Sequence, residues 1–310
     1  MQKICAMVMA AAVAGWAATA SAAEAPKEEV IQVPGFADFL AVDGSSVWVT
    51  NRDKVERWSR QGKQAESAMT RACGAMTVFR RSLWVADCKE GAVIRIDSRT
   101  GRRNAAIPTG IANLAGELNV VAGAGSVWIA SDDKGVISRI DPATNRIVAT
   151  VAVDPGTWYL AFGFGSVWAV SAREQSVQRI DPRTNAVIKR AALGKEPGFL
   201  AAGAGGVWVQ EQGDGTVARI NPRSGEITGR VKVGEVLKYG DIDTGGGKVW
   251  LRTTEAQTFA VIDPKTLTVD ARVGEAEGSG ALRYTRRGVW TSAHDVHTIT
   301  WWPEPAKIAR

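Results

Sequence analysis

Residues 165–185 read GSVWAVSAREQSVQRIDPRTN, and related text occurs seven times along the 310 residues. Its Val-Trp phrase recurs around seven tryptophans, which are separated by 36, 44, 40, 40, 42 and 40 residues. The seven are Trp48, Trp84, Trp128, Trp168, Trp208, Trp250 and Trp290. In five copies a second phrase of the type Arg-Ile-Asp-Pro-x-Thr-Asn begins eleven residues later. A period near 40 residues with this strand content predicts an all-β fold, a seven-bladed β-propeller.

The fourth copy shows how each unit divides into four antiparallel strands. Alternating apolar residues predict an innermost strand at 159–164, a second at 166–171, a third at 176–181 and an outermost at 186–193. The Asp-Pro-x-Thr-Asn phrase predicts a hairpin turn, because Asp accepts turn N–H groups and Asn or Gly adopts the left-handed conformation. The tryptophans are expected to pack between blades. Both phrases are therefore interpreted as scaffold.

The two ends of the repeat array complement each other. Residues 29–33 match an outermost strand, yet no blade precedes them, and the last copy lacks its own outermost strand. We therefore predict that the N-terminal strand completes the last blade. Such a three-plus-one closure removes the exposed sheet edges that an open array would leave.

The N-terminal residues resemble an export signal. A short positive start precedes an apolar segment, and Ala20-Ser21-Ala22 supplies the small residues of a cleavage site. We expect residues 1–22 to be a signal peptide and residues 23–310 to be a single propeller domain, periplasmic or secreted and monomeric. Two cysteines then remain, Cys73 and Cys88, and an even number in an exported chain predicts a disulfide.

The Val-Trp-Val phrase followed by Arg-Ile-Asp-Pro-x-Thr resembles the repeats of the YVTN-type, virginiamycin-B-lyase-like superfamily of seven-bladed propellers. The resemblance covers nearly all of residues 29–310. It implies the seven-bladed fold but leaves the activity open, because the group includes enzymes and non-enzymes. For an enzyme it implies a His, a Glu and a magnesium ion on one face of the ring.

The enzymes of that group have repeats that typically read Gly-x-Asp-Gly-x-Leu-Trp-Phe-Thr-Glu, and no copy here contains this phrase. Only Asp87 and Glu211 place a carboxylate three residues after the repeated tryptophan. His294 occupies the loop position that Cys88 holds in the second blade, and a solvated loop histidine is its alternative interpretation. His294 and Glu211 are the catalytic candidates that the resemblance leaves.

Strand topology divides the connections between two faces. The turn face carries the turns between first and second strands and between third and fourth strands, which vary little. The loop face carries the second-to-third loops and the blade connections, which vary in length and composition, and four extra residues fall near 108–119. Binding groups are expected on variable loops held by a rigid scaffold, so the loop face is the predicted site.

Charge also differs between the faces. The whole chain carries a formal net charge of +6, yet the loop face holds seventeen acidic against eight basic positions. Basic residues such as Arg99, Arg183 and Arg223 fall on the turn face or on outer strands. An acidic mouth suits a cationic ligand, or a divalent ion such as Mg²⁺ or Ca²⁺, better than a nucleic-acid backbone. The alternative is that acidic residues are simply common in solvated loops.

The candidate ligand contacts are carboxylates of the loop face, aromatic residues at the start of innermost strands, and nearby polar side chains. A binding mouth combines aromatic walls with converging polar groups of this kind. Blade packing is the alternative for the aromatic members. The set comprises Asp38, Asp87, Glu117, Trp158, Tyr159, Tyr239, Asp241 and Arg252.

Two functions from different classes remain. The first is a binding or scaffold protein that uses the acidic loop face for a small ligand or a protein partner. The second is a metal-assisted lyase or lactone hydrolase of the virginiamycin-B-lyase-like or gluconolactonase-like kind. An enzyme is expected to gather His and carboxylate groups around the mouth, and a single histidine lies in reach there. The sequence therefore favours binding.

Overall fold

A computed structural model describes residues 27–238 and 240–309, which form seven four-stranded antiparallel sheets. The innermost strands of neighbouring sheets contact each other all the way round, including those of the seventh and first blades. The seven-bladed propeller prediction is therefore confirmed. The predicted signal peptide, residues 1–22, lies outside the described residues. No helix within the described ranges is long and apolar enough to cross a membrane.

Strand β1 (Glu29–Gln32) stands alone at the N-terminus, and the first four blades follow it. Blade one comprises β2 (Ala37–Asp43), β3 (Ser46–Asn51), β4 (Lys54–Ser59) and β5 (Gly62–Ala68). Blade two comprises β6 (Gly74–Ala75), β7 (Thr77–Phe79), β8 (Ser82–Asp87), β9 (Ala92–Asp97) and β10 (Arg103–Pro108). Blade three comprises β11 (Leu118–Asn119), β12 (Val121–Gly123), β13 (Ser126–Asp132), β14 (Val136–Asp141) and β15 (Arg146–Ala152). Blade four comprises β16 (Thr157–Gly163), β17 (Ser166–Ser171), β18 (Ser176–Asp181) and β19 (Ala186–Ala192).

The remaining blades include two short helical segments. Blade five comprises β20 (Pro197–Gly203), β21 (Gly206–Glu211), a 3-10 turn (Gln212–Asp214), β22 (Thr216–Ile220) and β23 (Ile227–Lys232). Blade six comprises β24 (Ile242–Gly245), β25 (Lys248–Arg252), β26 (Phe259–Asp263) and β27 (Thr268–Val273). Blade seven comprises β28 (Leu282–Tyr284), β29 (Gly288–Ala293) and β30 (Thr298–Pro303), followed by α1 (Pro305–Ile308).

The ring closes through its two ends. Strand β1 pairs antiparallel with β30, with Glu29 opposite Trp301 and Gln32 opposite Thr298. The N–H of Val33 extends this pairing by donating to the carbonyl of His297 at 2.7 Å. The predicted three-plus-one closure is confirmed.

The repeated text is explained by one network that joins each blade to the next. The seven repeated tryptophans are almost completely buried, and in blades two to six the indole N–H donates to the carbonyl five residues earlier. In blade three the guanidinium of Arg139 lies 5.0 Å from the Trp128 ring, and its Nη1 donates to the carbonyl of Pro182 in blade four. Arg95 and Arg219 repeat this arrangement, whereas Arg179 stacks on its tryptophan in the same way but donates to the carbonyl of Arg223, one residue after the turn proline. The Trp, the Arg and the Pro turn are therefore scaffold.

The hairpin-turn chemistry also holds. Asp97 and Asp263 each accept the N–H groups two and three residues later. Asn145 and Asn185 adopt the left-handed conformation, with φ of 57° and 52°. These turns are tight and similar from blade to blade, so the loop face is where the blades differ.

Candidate functional site

A cavity of about 560 Å³ opens at the centre of the loop face. Its wall is made by the starts of innermost strands, by blade connections and by second-to-third loops from several blades. The side chains of its wall include Phe36, Asp38, Phe39, Thr50, Arg52, Arg71, Cys73, Glu117, Phe199, His294 and Asp295.

Bulges in the innermost strands direct side chains into this cavity. The pairing of β2 with β3 skips from Ala37 to Leu40, so Asp38 and Phe39 lie in a bulge, and the N–H of Phe39 donates to Thr50 Oγ1 at 2.9 Å. The same irregularity occurs in β16 and in β20. A bulge bends a strand and re-aims its side chains. The position of Asp38 therefore depends on a backbone bulge that the repeat pattern does not reveal.

Three aromatic rings close the central opening beneath the cavity. The Phe199 ring lies 5.9 Å from the Phe39 ring and 4.8 Å from the Tyr159 ring. Because blades one and five are not neighbours in the ring, the first of these contacts spans the opening. Each of the three residues stands nine positions before its blade's repeated tryptophan. Sequence reasoning missed Phe39 and Phe199, although aromatic residues at this shared position were a usable signal.

Asp38 is the carboxyl group with the most unusual environment in the cavity. Burial raises its pKa to about 7, and the negative charges of Glu117, Asp241 and Asp295 contribute to the rise. No Lys or Arg within the described ranges forms an ion pair with it. The carboxyl therefore exchanges between its neutral and charged forms near neutral pH, and a cation placed beside it would favour the charged form.

Glu117 and Tyr159 join the wall to the aromatic floor. The hydroxyl of Tyr159 donates to Glu117 Oε2 at 3.2 Å. Burial, and then the charge of Glu117, raise the pKa of Tyr159, so the phenol stays protonated and remains a donor. The two sequence candidates therefore meet in one contact, with Glu117 exposed to the cavity and Tyr159 buried below it.

His294 forms part of the rim. Its ring stacks on Phe36 with 4.0 Å between centroids, and its Nδ1 lies 2.8 Å from Asp295 Oδ1. Burial lowers the pKa of His294, and the opposing effect of Asp295 does not restore it to the usual value. The imidazole is therefore neutral at pH 7.

The predicted disulfide forms one side of the wall. Cys73 and Cys88 are bonded, with their Cα atoms 5.9 Å apart. Next to it, β6 and β11 pair in parallel, with Gly74 opposite Leu118, so blades two and three exchange backbone hydrogen bonds directly. Arg71, two residues before Cys73, reaches the connection that precedes β11, where its Nη2 donates to the carbonyl of Ala115 at 3.0 Å. The repeat pattern did not predict this parallel pairing.

Asp87 and Glu211 do not line the cavity; both are buried and organise backbone. Asp87 accepts N–H groups from Thr70, Arg71, Lys89 and Glu90. Glu211 accepts the Gly194 N–H at 2.7 Å and binds Arg230 through two nitrogens at 2.8 and 3.0 Å. Burial raises the pKa of Glu211, but the bonds from Arg230, Thr216 and Gly194 hold it below its usual value. In blades two and five, the carboxylate three residues after the repeated tryptophan therefore binds N–H groups of the connection that leads into the blade.

Arg252 is almost completely buried, and carbonyl groups engage all three of its nitrogens. Burial lowers its pKa to about 10. The acceptors belong to Thr253, Thr258, Glu277, Gly278 and Ser292. No N–H group is left for a ligand, so Arg252 holds together the connections of blades six and seven.

The other candidates lie away from the cavity wall. Asp241 is buried, accepts from Arg283 Nη1, and borders a second cavity of about 240 Å³ on the other side of the aromatic floor. Trp158 is partly buried and packs against apolar clusters. Tyr239 lies outside the described residues. Within the described ranges, no three His, Cys, Asp or Glu side chains converge closely enough to hold a metal ion.

No protein-family model and no curated protein sequence matches the chain. Solved structures, in contrast, match the chain over most of its length. Virginiamycin B lyase from Staphylococcus aureus aligns with 89% of this chain and 98% of its own, with a TM-score of 0.75 and 14% sequence identity. The chain has the fold of virginiamycin B lyase. A streptogramin B lyase structure aligns with 89% of this chain and 96% of its own, with a TM-score of 0.74 and 15% identity.

A third solved structure extends the comparison beyond lyases. BamB from Moraxella catarrhalis aligns with 86% of this chain and 85% of its own, with a TM-score of 0.63 and 15% identity. At such identities the likeness shows the fold alone, because one fold hosts many activities. The resemblance predicted from the repeats is thus confirmed at the level of the seven-bladed fold.

Proposed function

We propose that the protein is an exported binding protein whose loop-face cavity takes a small ligand with a cationic group attached to an apolar portion. The observation that carries this proposal is Asp38, a carboxyl with a pKa near 7 that lies in the cavity without a Lys or Arg ion pair. A cationic group beside it would supply the missing partner charge. Phe36, Phe39 and Phe199 offer aromatic surface to the rest of the ligand.

The positions of the cavity's charges support the same ligand class. Asp38 lies in the cavity beside the aromatic floor, whereas Arg52 and Arg71 are exposed. Arg71 already donates to the carbonyl of Ala115. Export is supported by the N-terminal residues and by the disulfide, since such bonds persist in oxidising compartments.

A charge series of isosteric probes tests the proposal. We expect phenethylamine to bind with at least about tenfold higher affinity than the neutral phenethyl alcohol, because one desolvated charge pair adds roughly 1–2 kcal/mol or more. Phenylacetate is expected not to bind. Isothermal titration calorimetry measures all three. Tighter binding of phenylacetate than of phenethylamine would show that the arginines dominate, and the proposal would be wrong.

The pH dependence gives a second readout. The raised pKa of Asp38 means that the folded protein loses stability as pH rises from about 4 to about 7, whereas affinity for the cation rises through the same pH range. Asp38→Asn is expected to abolish this dependence and most of the binding, yet to raise the melting temperature at pH 8 by removing a repelled charge. A loss of binding accompanied by lower stability would instead indicate misfolding.

A second candidate function is the metal-assisted lyase or lactone hydrolase. The observation that favours it is that His294 and Asp38, a neutral imidazole and a carboxyl with a pKa near 7, line one cavity and could exchange protons with a substrate. Under this candidate, lactones or cyclic depsipeptides are turned over with added Mg²⁺, and His294→Ala lowers the rate at least about a hundredfold. Absence of turnover on both substrate classes would contradict it.

A further inference from the structure

The turn face has a charge opposite to that of the loop face. The turns between first and second strands and between third and fourth strands contain ten basic residues and one acidic residue, Glu226. The seven inner turns each place two residues four and three positions before the repeated tryptophan. Arg80 and Arg81 fill both positions in blade two, and Arg286 and Arg287 fill both in blade seven. Because these blades flank blade one, four exposed guanidinium groups lie on the same side of the central opening.

The outer turns extend this basic surface around the ring. Arg99 and Arg102 belong to blade two, Arg223 to blade five and Lys265 to blade six, and all four are exposed. None of them forms an ion pair among the described residues, and the same holds for the four arginines of the inner turns. Arg183 of blade four is paired with its neighbour Asp181 but keeps 88% of its side chain exposed.

The aspartates at the strand ends are fewer than the basic residues and offset only part of this charge, and their carboxylates are held within the turns. Asp97 accepts N–H groups from its own turn, and Asp263 does the same while pairing with Lys248 at 2.6 Å. The hydrogen bonds that these carboxylates accept are what lower their pKa values. The basic side chains, by contrast, extend outward from the turns into solvent.

An exposed aromatic residue lies on the same face. Phe164 occupies the inner turn of blade four, with 46% of its surface exposed and a left-handed φ of 52°. The corresponding residues of the other blades are glycine, alanine or arginine. Phe164 borders a cleft with Arg179 and Arg223. Neither blade packing nor turn geometry requires an aromatic ring there.

We propose that the turn face docks the propeller on the surface of an anionic lipid bilayer. A flat bilayer surface presents negative charge over an area as broad as the ring, and basic residues lie on the turn face in blades on all sides of the opening. A linear polyanion would need a continuous basic track, whereas these residues are dispersed among blades. An exposed ring among arginines fits the headgroup boundary, where aromatic side chains insert. The loop-face cavity then opens away from the bilayer.

Vesicle sedimentation with the full chain tests the proposal. We expect binding to vesicles of phosphatidylcholine mixed with phosphatidylglycerol, none to phosphatidylcholine alone, and release by added salt. Neutralising the four inner-turn arginines is expected to weaken binding at least about a hundredfold, since each basic residue near such a surface contributes roughly fivefold. That variant carries Arg80→Asn, Arg81→Asn, Arg286→Ser and Arg287→Ser. Phe164→Ser is expected to weaken binding a few-fold.

A matched control removes the same number of charges from the loop face. It carries Lys89→Gln, Lys134→Gln, Arg173→Gln and Lys195→Gln, all at exposed positions outside the cavity wall. This control is expected to keep vesicle binding. Equal loss in both variants, or equal binding of the wild-type protein to the uncharged vesicles, would overturn the proposal. So would binding of dextran sulfate, a soluble linear polyanion, without binding of anionic vesicles.

Discussion

Replacing Arg252 by methionine is expected to lower the free energy of unfolding by about 3 to 5 kcal/mol. Methionine replaces part of the apolar stem, but it leaves five carbonyl groups, three buried and two partly buried, without the donors that Arg252 provides. Each buried group without a partner costs roughly 1–3 kcal/mol, and relaxation of the loops recovers part of this. Equilibrium unfolding in guanidinium chloride, followed by the fluorescence of the buried tryptophans, measures the change.

Arg183→Met is the matched control for that experiment. Arg183 is exposed and pairs with Asp181 on the protein surface, so its loss is expected to change stability by less than about 1 kcal/mol. Similar effects of the two substitutions would mean that the carbonyl contacts of Arg252 contribute little. Because Arg252 holds the carbonyls of Gly278 and Ser292 next to the cavity residues Ser279 and His294, we also expect Arg252→Met to weaken phenethylamine binding.

The fold could be predicted from the sequence because its determinants are local and repeated seven times. In blade four the second and third strands begin and end where the apolar alternation predicts, and the other two differ by at most two residues. The Trp and Arg residues form the same contact in blades two to five, and three of these arginines also donate to the carbonyl of a turn proline. Because the same residues recur in each blade, the boundaries of one blade's strands predict those of the others.

The site could be predicted only in part, because it depends on where single side chains point. Asp38, Glu117 and His294 face the predicted cavity, whereas Asp87, Glu211 and Arg252 turn inward onto backbone groups. The position of a residue on a loop does not determine whether its side chain faces the cavity or turns inward onto backbone groups. The bulge that directs Asp38 has no counterpart in the turn or strand phrases, and the aromatic floor requires comparing one position across blades rather than reading each blade alone.

Gly74 forms part of the cavity that the repeats could not predict. Its φ is 97°, and a Cβ atom added to it would lie 1.9 Å from the carbonyl oxygen of Leu118, across the parallel pairing of β6 with β11. The nearest atoms belong to the Leu118 backbone, which cannot move aside as the end of a flexible side chain can. The pairing fixes the separation of blades two and three, and with it the positions of Cys73 and Glu117 in the cavity wall.

Gly74→Ala is therefore expected to lower the free energy of unfolding by about 2 to 4 kcal/mol and to abolish phenethylamine binding. Gly44→Ala is the control: Gly44 also has a positive φ, 66°, but an added Cβ there would meet no atom within 4 Å. Gly44→Ala therefore measures only the cost of placing alanine at a positive φ, about 1 kcal/mol, and is expected to leave phenethylamine binding intact. Chemical unfolding and calorimetry on both variants measure the difference. If the two substitutions cost the same and both proteins bind the amine, the parallel pairing does not shape the cavity.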